Sequence, residues 1–280
     1  MALIPPFFLD CVVAIGVPQQ PVSPTALILE PHWIGTGFLV GRPVQGTNPA
    51  HYTTYLVTNK HVIQGLNFVV LRFNNVNGAG TQDIPLLLQN QAFQPIWFGH
   101  PNPDVDVAVV SINPQFLQQL GSQFSFFALD QHCKDTAGLR TIGASEGDFI
   151  YVLGFPMGQV TPQTNYIIAR TGIVARIRDV LHGSHTNYLI DASVYPGNSG
   201  GPVVSKPEAV SIQGTQANSN ASLIGMVKAY IPYKDVAISQ QTKQQRVIFE
   251  ENSGLALVET VDSIQQTIQI AHQTQNPYAP

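Results

Sequence analysis

The chain has 280 residues, a length that fits two units of roughly 150 residues or one bilobed domain, and its 44% hydrophobic content supplies a sizeable core, which excludes wholesale disorder. Only 11% of residues are charged and the formal net charge is −4, so neither a basic nucleic-acid surface nor a dense acidic tail is encoded. Two cysteines, Cys11 and Cys133, cannot build a disulfide framework and are expected as buried free thiols.

Residues 1–17 are apolar but carry no Lys or Arg, are broken by Pro5-Pro6 and are interrupted by Asp10, so they do not read as a secretory leader. No run approaches the ~18 uninterrupted apolar residues of a membrane span, and a cytoplasmic protein without membrane attachment is expected. From there, short runs rich in Val, Ile, Tyr, Phe and Thr alternate with Gly, Pro, Asn and Asp. They predict strands over 11–17, 37–40, 52–58, 67–73, 105–112, 149–154, 166–174, 187–192, 201–205, 222–229 and 254–258. That rhythm, together with 21 prolines, points to an all-β barrel or sandwich. One helical turn is predicted at 61–63 and another around 113–122. An amphipathic helix is predicted over 259–272, where Val261, Ile264, Ile268 and Ala271 share a face. The stretch 113–147 lacks strand periodicity and reads as the connection between two halves. The stretch 232–252, polar and carrying Lys234, Lys243, Arg246, Glu250 and Glu251, reads as a long irregular loop.

Three short motifs carry chemistry. In Pro196-Gly197-Asn198-Ser199-Gly200-Gly201-Pro202 a serine sits between glycines. A nucleophilic hydroxyl needs such a tight turn, exposed, with backbone N–H groups aimed where an oxyanion forms; an ordinary Gly-rich β-turn has the same composition. In Tyr55-Leu56-Val57-Thr58-Asn59-Lys60-His61-Val62-Ile63 a histidine follows the end of a strand, a fixed place for a general base with a near-neutral pKa, or for a plain strand-end histidine. Asp104-Val105-Asp106-Val107-Ala108-Val109-Val110 places a carboxylate at the start of an apolar strand, where it can hold an imidazole in one tautomer or simply make a turn. Either Asp104 or Asp106 suits that role. The order histidine, aspartate, serine is that of chymotrypsin-type triads. His182 and His185 lack a third ligand and read as solvated, and the Gly-rich run at 197–201 lacks the lysine of a phosphate-binding loop. No metal or cofactor is expected.

On Gly35-Thr36-Gly37-Phe38-Leu39-Val40 and the three motifs, with weaker support from Gly154-Phe155-Pro156, Leu223-Ile224-Gly225-Met226-Val227 and Ser253-Gly254-Leu255-Ala256-Leu257, the chain resembles the trypsin/chymotrypsin-like serine proteases. It is most similar to the bacterial high-temperature-requirement-like branch, without a following peptide-binding domain. The resemblance implies two six-stranded antiparallel β-barrels: residues 1–125 carrying His61 and Asp106, 126–258 carrying Ser199, then a C-terminal helix and tail over 259–280. It implies a serine endopeptidase in which Ser199 attacks, His61 shuttles the proton and Asp106, preferred because Val107-Ala108-Val109 follows it, orients His61. It places the oxyanion hole at Gly197, Asn198 and Ser199, chiefly through the N–H groups of Gly197 and Ser199. Ser193 would form the base of the specificity pocket, Lys228, Ala229 and Tyr230 the substrate-binding strand, and Gly254 the opposite wall. Ser193 offers no counter-ion to Arg or Lys, Tyr230 favours small or medium apolar residues, and Lys228 in the pocket would favour acidic ones. Asn198 stands where zymogen-activated relatives carry Asp, so activation through a newly cut N-terminus is not expected. Control then falls to loops, with 232–252 as a gating candidate, to a regulatory protein partner or to an oligomer. The substrate is a protein or peptide, with no nucleic acid. The alternatives are a latent or inactive scaffold of the same fold, and a serine esterase or processing enzyme dedicated to one substrate.

Overall fold

The computed structural model describes residues 4–19, 30–47, 51–78, 80–161, 163–208 and 217–275. The N-terminal half opens with a turn of helix, α1 (Pro6–Leu9), and contains β1 (Val12–Val17), β2 (His32–Val44), β3 (His51–Thr58), α2 (Lys60–Ile63), β4 (Phe68–Asn75) and β5 (Thr81–Leu87). It continues through β6 (Phe98–Gly99), β7 (Ala108–Ile112), α3 (Pro114–Gln119), β8 (Ser122–Gln123) and β9 (Phe127–Ala128). After α4 (Thr136–Thr141) come β10 (Phe149–Gly154), β11 (Ile168–Arg176), α5 (Arg178–Leu181), β12 (Asn187–Ala192), β13 (Pro202–Ser205), β14 (Leu223–Ile238), β15 (Gln245–Thr260) and α6 (Val261–Gln275).

The two halves build the chymotrypsin-like double barrel, one more completely than the other. The second is a closed six-stranded barrel in the order β10-β11-β12-β15-β14-β13. The first, expected as a closed six-stranded barrel, is a nine-stranded sheet with the path β5-β4-β1-β2-β3-β7-β6; β8 pairs with β4, and β9 lies parallel to β2. Its end strand β5 contains Pro85, which removes a ladder donor and is tolerated at an edge.

Three apolar clusters follow from this layering. Leu39, Leu56, Val69, Leu71, Phe73 and Val110 fill the first sheet, and Ile150, Val152, Ile190, Val203, Val227 and Val258 fill the second barrel. The third joins the halves: Phe38, Tyr55 and Phe127 meet Leu153, Phe155 and Met226, with Ile264 and Ile268 of α6 covering them. Cys11 and Cys133 are buried free thiols, and burial pushes both thiol pKa values up. No described helix is long and apolar enough to cross a membrane.

Several expectations need correction. The stretch 232–252 is no irregular loop: β14 and β15 run on as an antiparallel two-stranded arm, closed by a turn in which Lys243 adopts a positive φ of 56°. Neither face of the arm is core, so its residues show no inside–outside alternation. The stretch 113–147 is structured too. Asn113 caps α3 by accepting from the Gln115 and Phe116 N–H groups, and Asp135 caps α4 through the Gly138 N–H at 2.7 Å. Glu259 belongs to β15, and the helix begins at Val261 and reaches Gln275. The tail over 276–280 lies outside the described residues.

Candidate active site

β3 ends in Thr58, and α2 follows at once, so His61 projects from one tight helical turn. Its half-exposed ring places Nδ1 2.5 Å from Asp106 Oδ2, and its own N–H donates to Asp106 Oδ1 at 3.2 Å. Asn59 Nδ2 donates to the Asp106 carbonyl at 2.7 Å. The Asp106 N–H donates to Glu259 Oε1 at 2.8 Å, and Glu259 is fully buried at the end of β15. Lys228 Nζ sits 3.1 Å from that same oxygen and also donates to the Asp104 carbonyl. Burial alone would raise the Asp106 pKa; the hydrogen bonds and charge of His61, with the His61 and Lys60 N–H groups, outweigh it and hold the carboxyl below 3.8. Asp104, by contrast, is exposed, and its carboxylate has no partner among the described residues.

The serine turn is fixed from both halves. Thr36 on β2 donates through Oγ1 to the Gly197 carbonyl at 2.6 Å and accepts the Phe155 N–H at 3.2 Å. The Thr36 N–H donates to the Ser199 carbonyl at 2.9 Å. Asn198 closes the turn on itself, its N–H donating to the Tyr195 carbonyl at 3.0 Å and its Oδ1 accepting the Tyr195 N–H at 3.1 Å. Gly200 has φ +82°, and a Cβ there would lie 2.1 Å from the Thr36 carbonyl; at Gly197, φ +94°, it would lie 2.3 Å from the Phe155 carbonyl. Only glycine fits either place.

The N–H groups of Asn198, Gly200 and Gly201 all have backbone acceptors, whereas those of Gly197 and Ser199 have none among the described residues. Asn198, expected in the oxyanion hole, therefore contributes turn geometry and no free donor. Two unclaimed donors beside a half-buried serine can receive a developing oxyanion. Gly35 lies between the serine and the histidine turn: a Cβ there would be 2.7 Å from Val62 Cγ1 and 3.4 Å from the Ser199 carbonyl. Ser199 Oγ makes no hydrogen bond among the described residues, to His61 or otherwise, a looseness common in unliganded sites. Beside His61 and Asp106 opens a cleft of about 840 Å³, also lined by Trp97, Pro103, Asn187 and Lys228.

The expected pocket residues disperse more. Ser193 is exposed just past β12, Ala229 and Tyr230 face Leu257 and Ala256 across the β14–β15 ladder, and Gly254 takes φ +83°. The Tyr230 hydroxyl donates to Glu250 Oε1 at 3.1 Å. Lys228 lines the cleft beside His61, with its ammonium held by the buried Glu259 carboxylate and the Asp104 carbonyl. Sequence reasoning missed Thr36 as an anchor, Asn59, Glu259 and Asn252. Asn252 links the Val194 carbonyl to the Gly254 N–H. Glu259 had a legible signal, a carboxylate directly following the apolar run Leu255-Ala256-Leu257-Val258. His182 and His185 are exposed, and no group of ligating side chains that could hold a metal occurs among the described residues.

Residues 35–210 match the family model of the trypsin-like peptidase domain. No curated protein matches the chain. Among solved structures, the HtrA-type protease AlgW with a tripeptide is 16% identical, with 95% of this chain covering 60% of that one at a TM-score of 0.48. The MamO protease domain from Magnetospirillum magneticum is 14% identical, with 93% and 96% covered and a TM-score of 0.46. An inactive form of Rv3671c from M. tuberculosis H37Rv is 18% identical, with 96% and 89% covered and a TM-score of 0.44.

Proposed function

Since the chain belongs to the trypsin-like peptidase domain family, we propose that it is a serine endopeptidase that cleaves protein or peptide substrates through an acyl-enzyme. The observation that carries this reading is the Ser199 turn, in which neighbouring N–H groups are satisfied and those of Gly197 and Ser199 are left free. Ser199 Oγ attacks the scissile carbonyl carbon while its proton passes to His61 Nε2. The oxyanion takes the N–H groups of Gly197 and Ser199. His61 then protonates the leaving nitrogen, the C–N bond breaks and an ester to Ser199 remains. Water, deprotonated by His61, hydrolyses that ester. Asp106 holds Nδ1–H and stabilises the imidazolium. Its two contacts to His61 support that role, and Asp104, with its carboxylate unengaged, does not compete.

Asn198 satisfies its own turn, which supports a site assembled without cleavage of a propeptide. Control by loops, a protein partner or an oligomer remains part of this reading. The pairing of Lys228 with Glu259 compensates the charge of the cation lining the cleft and supports a preference for small or medium apolar residues beside Tyr230.

Labelling of the full chain with a fluorophosphonate probe at neutral pH tests the reading. Wild type should label and Ser199→Ala should not; peptidase turnover should fall on the order of 10⁶-fold in the variant. Absence of labelling in both would favour the latent or scaffold reading.

A further inference from the structure

The β14–β15 arm leaves one feature without a role in catalysis. β14 covers one edge of β15, but β12 covers the other only over residues 255–259. Residues 245–253 therefore present an outer edge with no strand partner among the described residues, and all of them are exposed. Val247, Ile248 and Phe249 expose 49%, 59% and 54% of their surface. A two-stranded ribbon is marginal in water by itself. The β14 edge is blunted by Pro232, by a register shift and by the charges of Lys234 and Asp235. The β15 edge has no such device between 247 and 249, and its ladder with β14 is regular over 247–251.

The sequence of this edge is complementary to itself. Reversed about Ile248, Val247 meets Phe249 and Arg246 meets Glu250. We propose that the outer edge of β15 is a homodimer interface, in which two copies of the chain pair antiparallel about a two-fold axis at Ile248. Ile248 then faces Ile248 of the second copy, Val247 faces Phe249 twice, and Arg246 faces Glu250 twice, giving a four-stranded sheet. Arg246 has no ion-pair partner among the described residues. Glu250 already takes Lys234 at 3.3 Å and the Tyr230 hydroxyl, and a carboxylate has lone pairs left for a guanidinium. The proposal is independent of the catalytic reading, and Ser199→Ala should dimerise as wild type does.

Sedimentation equilibrium of the full chain tests it. Wild type should show a concentration-dependent monomer–dimer equilibrium. Ile248→Lys should weaken the dimer about a hundredfold, through one lost apolar contact per copy. Arg246→Glu and Glu250→Arg should each weaken it about fivefold or more, and the double variant should recover wild-type affinity to within a few-fold. Arg246→Glu breaks no described contact within the chain, which separates loss of pairing from loss of fold. Ile248→Cys should form an intermolecular disulfide under oxidation, since Cys11 and Cys133 are buried. A monomer at every concentration, a dimer indifferent to Ile248→Lys, or failure of the double charge exchange to restore pairing would overturn the interface. So would a monomer whose arm variants change KM for long peptides, which would assign the edge to substrate.

Discussion

Thr36 is the residue on which the proposed oxyanion turn depends most. One hydroxyl donates to the Gly197 carbonyl and accepts the Phe155 N–H, both in a fully buried setting. Thr36→Val keeps the shape and leaves two buried polar groups unpaired, a loss of about 1–3 kcal/mol. If the lost contact holds the Gly197 peptide for the transition state, kcat should fall roughly 10–100-fold with KM little changed. Steady-state kinetics on a peptide substrate checks this, and an equal fall through KM alone would show that the turn does not depend on Thr36. Glu259 acts on the other side of the site. It holds the Asp106 N–H and the Lys228 ammonium on one oxygen. Glu259→Gln strands that ammonium near Asp106, so kcat should drop about tenfold, while adding Lys228→Met, which removes the stranded charge, should recover most of it. A double variant no better than the single would argue for a purely structural carboxylate.

At the scale of elements, α6 and the segment after β9 carry histidines that folding keeps neutral. Burial lowers the pKa of His272, whose Nδ1 lies 3.4 Å from the Tyr55 hydroxyl, and Arg42 adds to the effect. Burial also lowers His132, against a smaller opposing pull from Asp130, and its Nδ1 accepts the Ala128 N–H. A histidine with a folded pKa below its unfolded 6.5 binds fewer protons when folded. Stability is therefore full above about pH 6.5 and declines as pH falls from there toward the lower folded values. Asp106 has the opposite charge type and a lower window: its contribution is full above 3.8 and lost only as pH falls through its depressed value. Thermal melts should thus show Tm falling as pH drops below about 6.5, with a shallower slope in His272→Gln. An unchanged slope would mean that His272 charges freely in place. Elements with a buried face were legible, as β1, β3, β7 and β10 show by their runs of Val, Ile and Leu. The arm was not, because exposed ribbon strands have no core to impose alternation. The same logic holds in the site. Gly197, Ser199, His61 and Asp106 stand in local motifs whose residue types the chemistry dictates. Thr36, Asn252 and Glu259 act across long chain separations, visible only once the strands are paired.

For the whole molecule the question is what holds the first sheet and the second barrel in register, since His61 and Asp106 come from the first half and Ser199 from the second. The shared apolar cluster supplies cohesion, and directional contacts across the seam add alignment, beginning with the Thr36 and Asp106–Glu259 hydrogen bonds at the site. Asn165 donates to the Val12 carbonyl at 3.2 Å, and its N–H meets Asn74 Oδ1 at 2.6 Å. Arg72 on β4 is the strongest candidate for a tie. It is 2% exposed, pairs with both oxygens of Asp83 at 2.6 Å, reaches Glu30 at 2.9 Å and lies 4.6 Å over the Trp33 ring. Its remaining nitrogen donates to the Thr161 carbonyl at 3.0 Å, between β10 and β11 of the second barrel. Arg72→Met retains most of the packed stem, removes the guanidinium and leaves Asp83 without its partner. Because Asp83 is a third exposed and can rehydrate in part, the cost should be about 2–3 kcal/mol, below that of a fully buried pair. Arg176→Met is the control: its pair with Asp179 is three residues away on the surface and joins nothing distant, so the melt should not move. If register matters to the site, Arg72→Met should also lower fluorophosphonate labelling of Ser199 at temperatures where the variant is folded, while Arg176→Met should not. A destabilised Arg72→Met with labelling intact would assign the seam's alignment to the apolar cluster together with the remaining hydrogen bonds across it, those of Thr36 and Asp106 included.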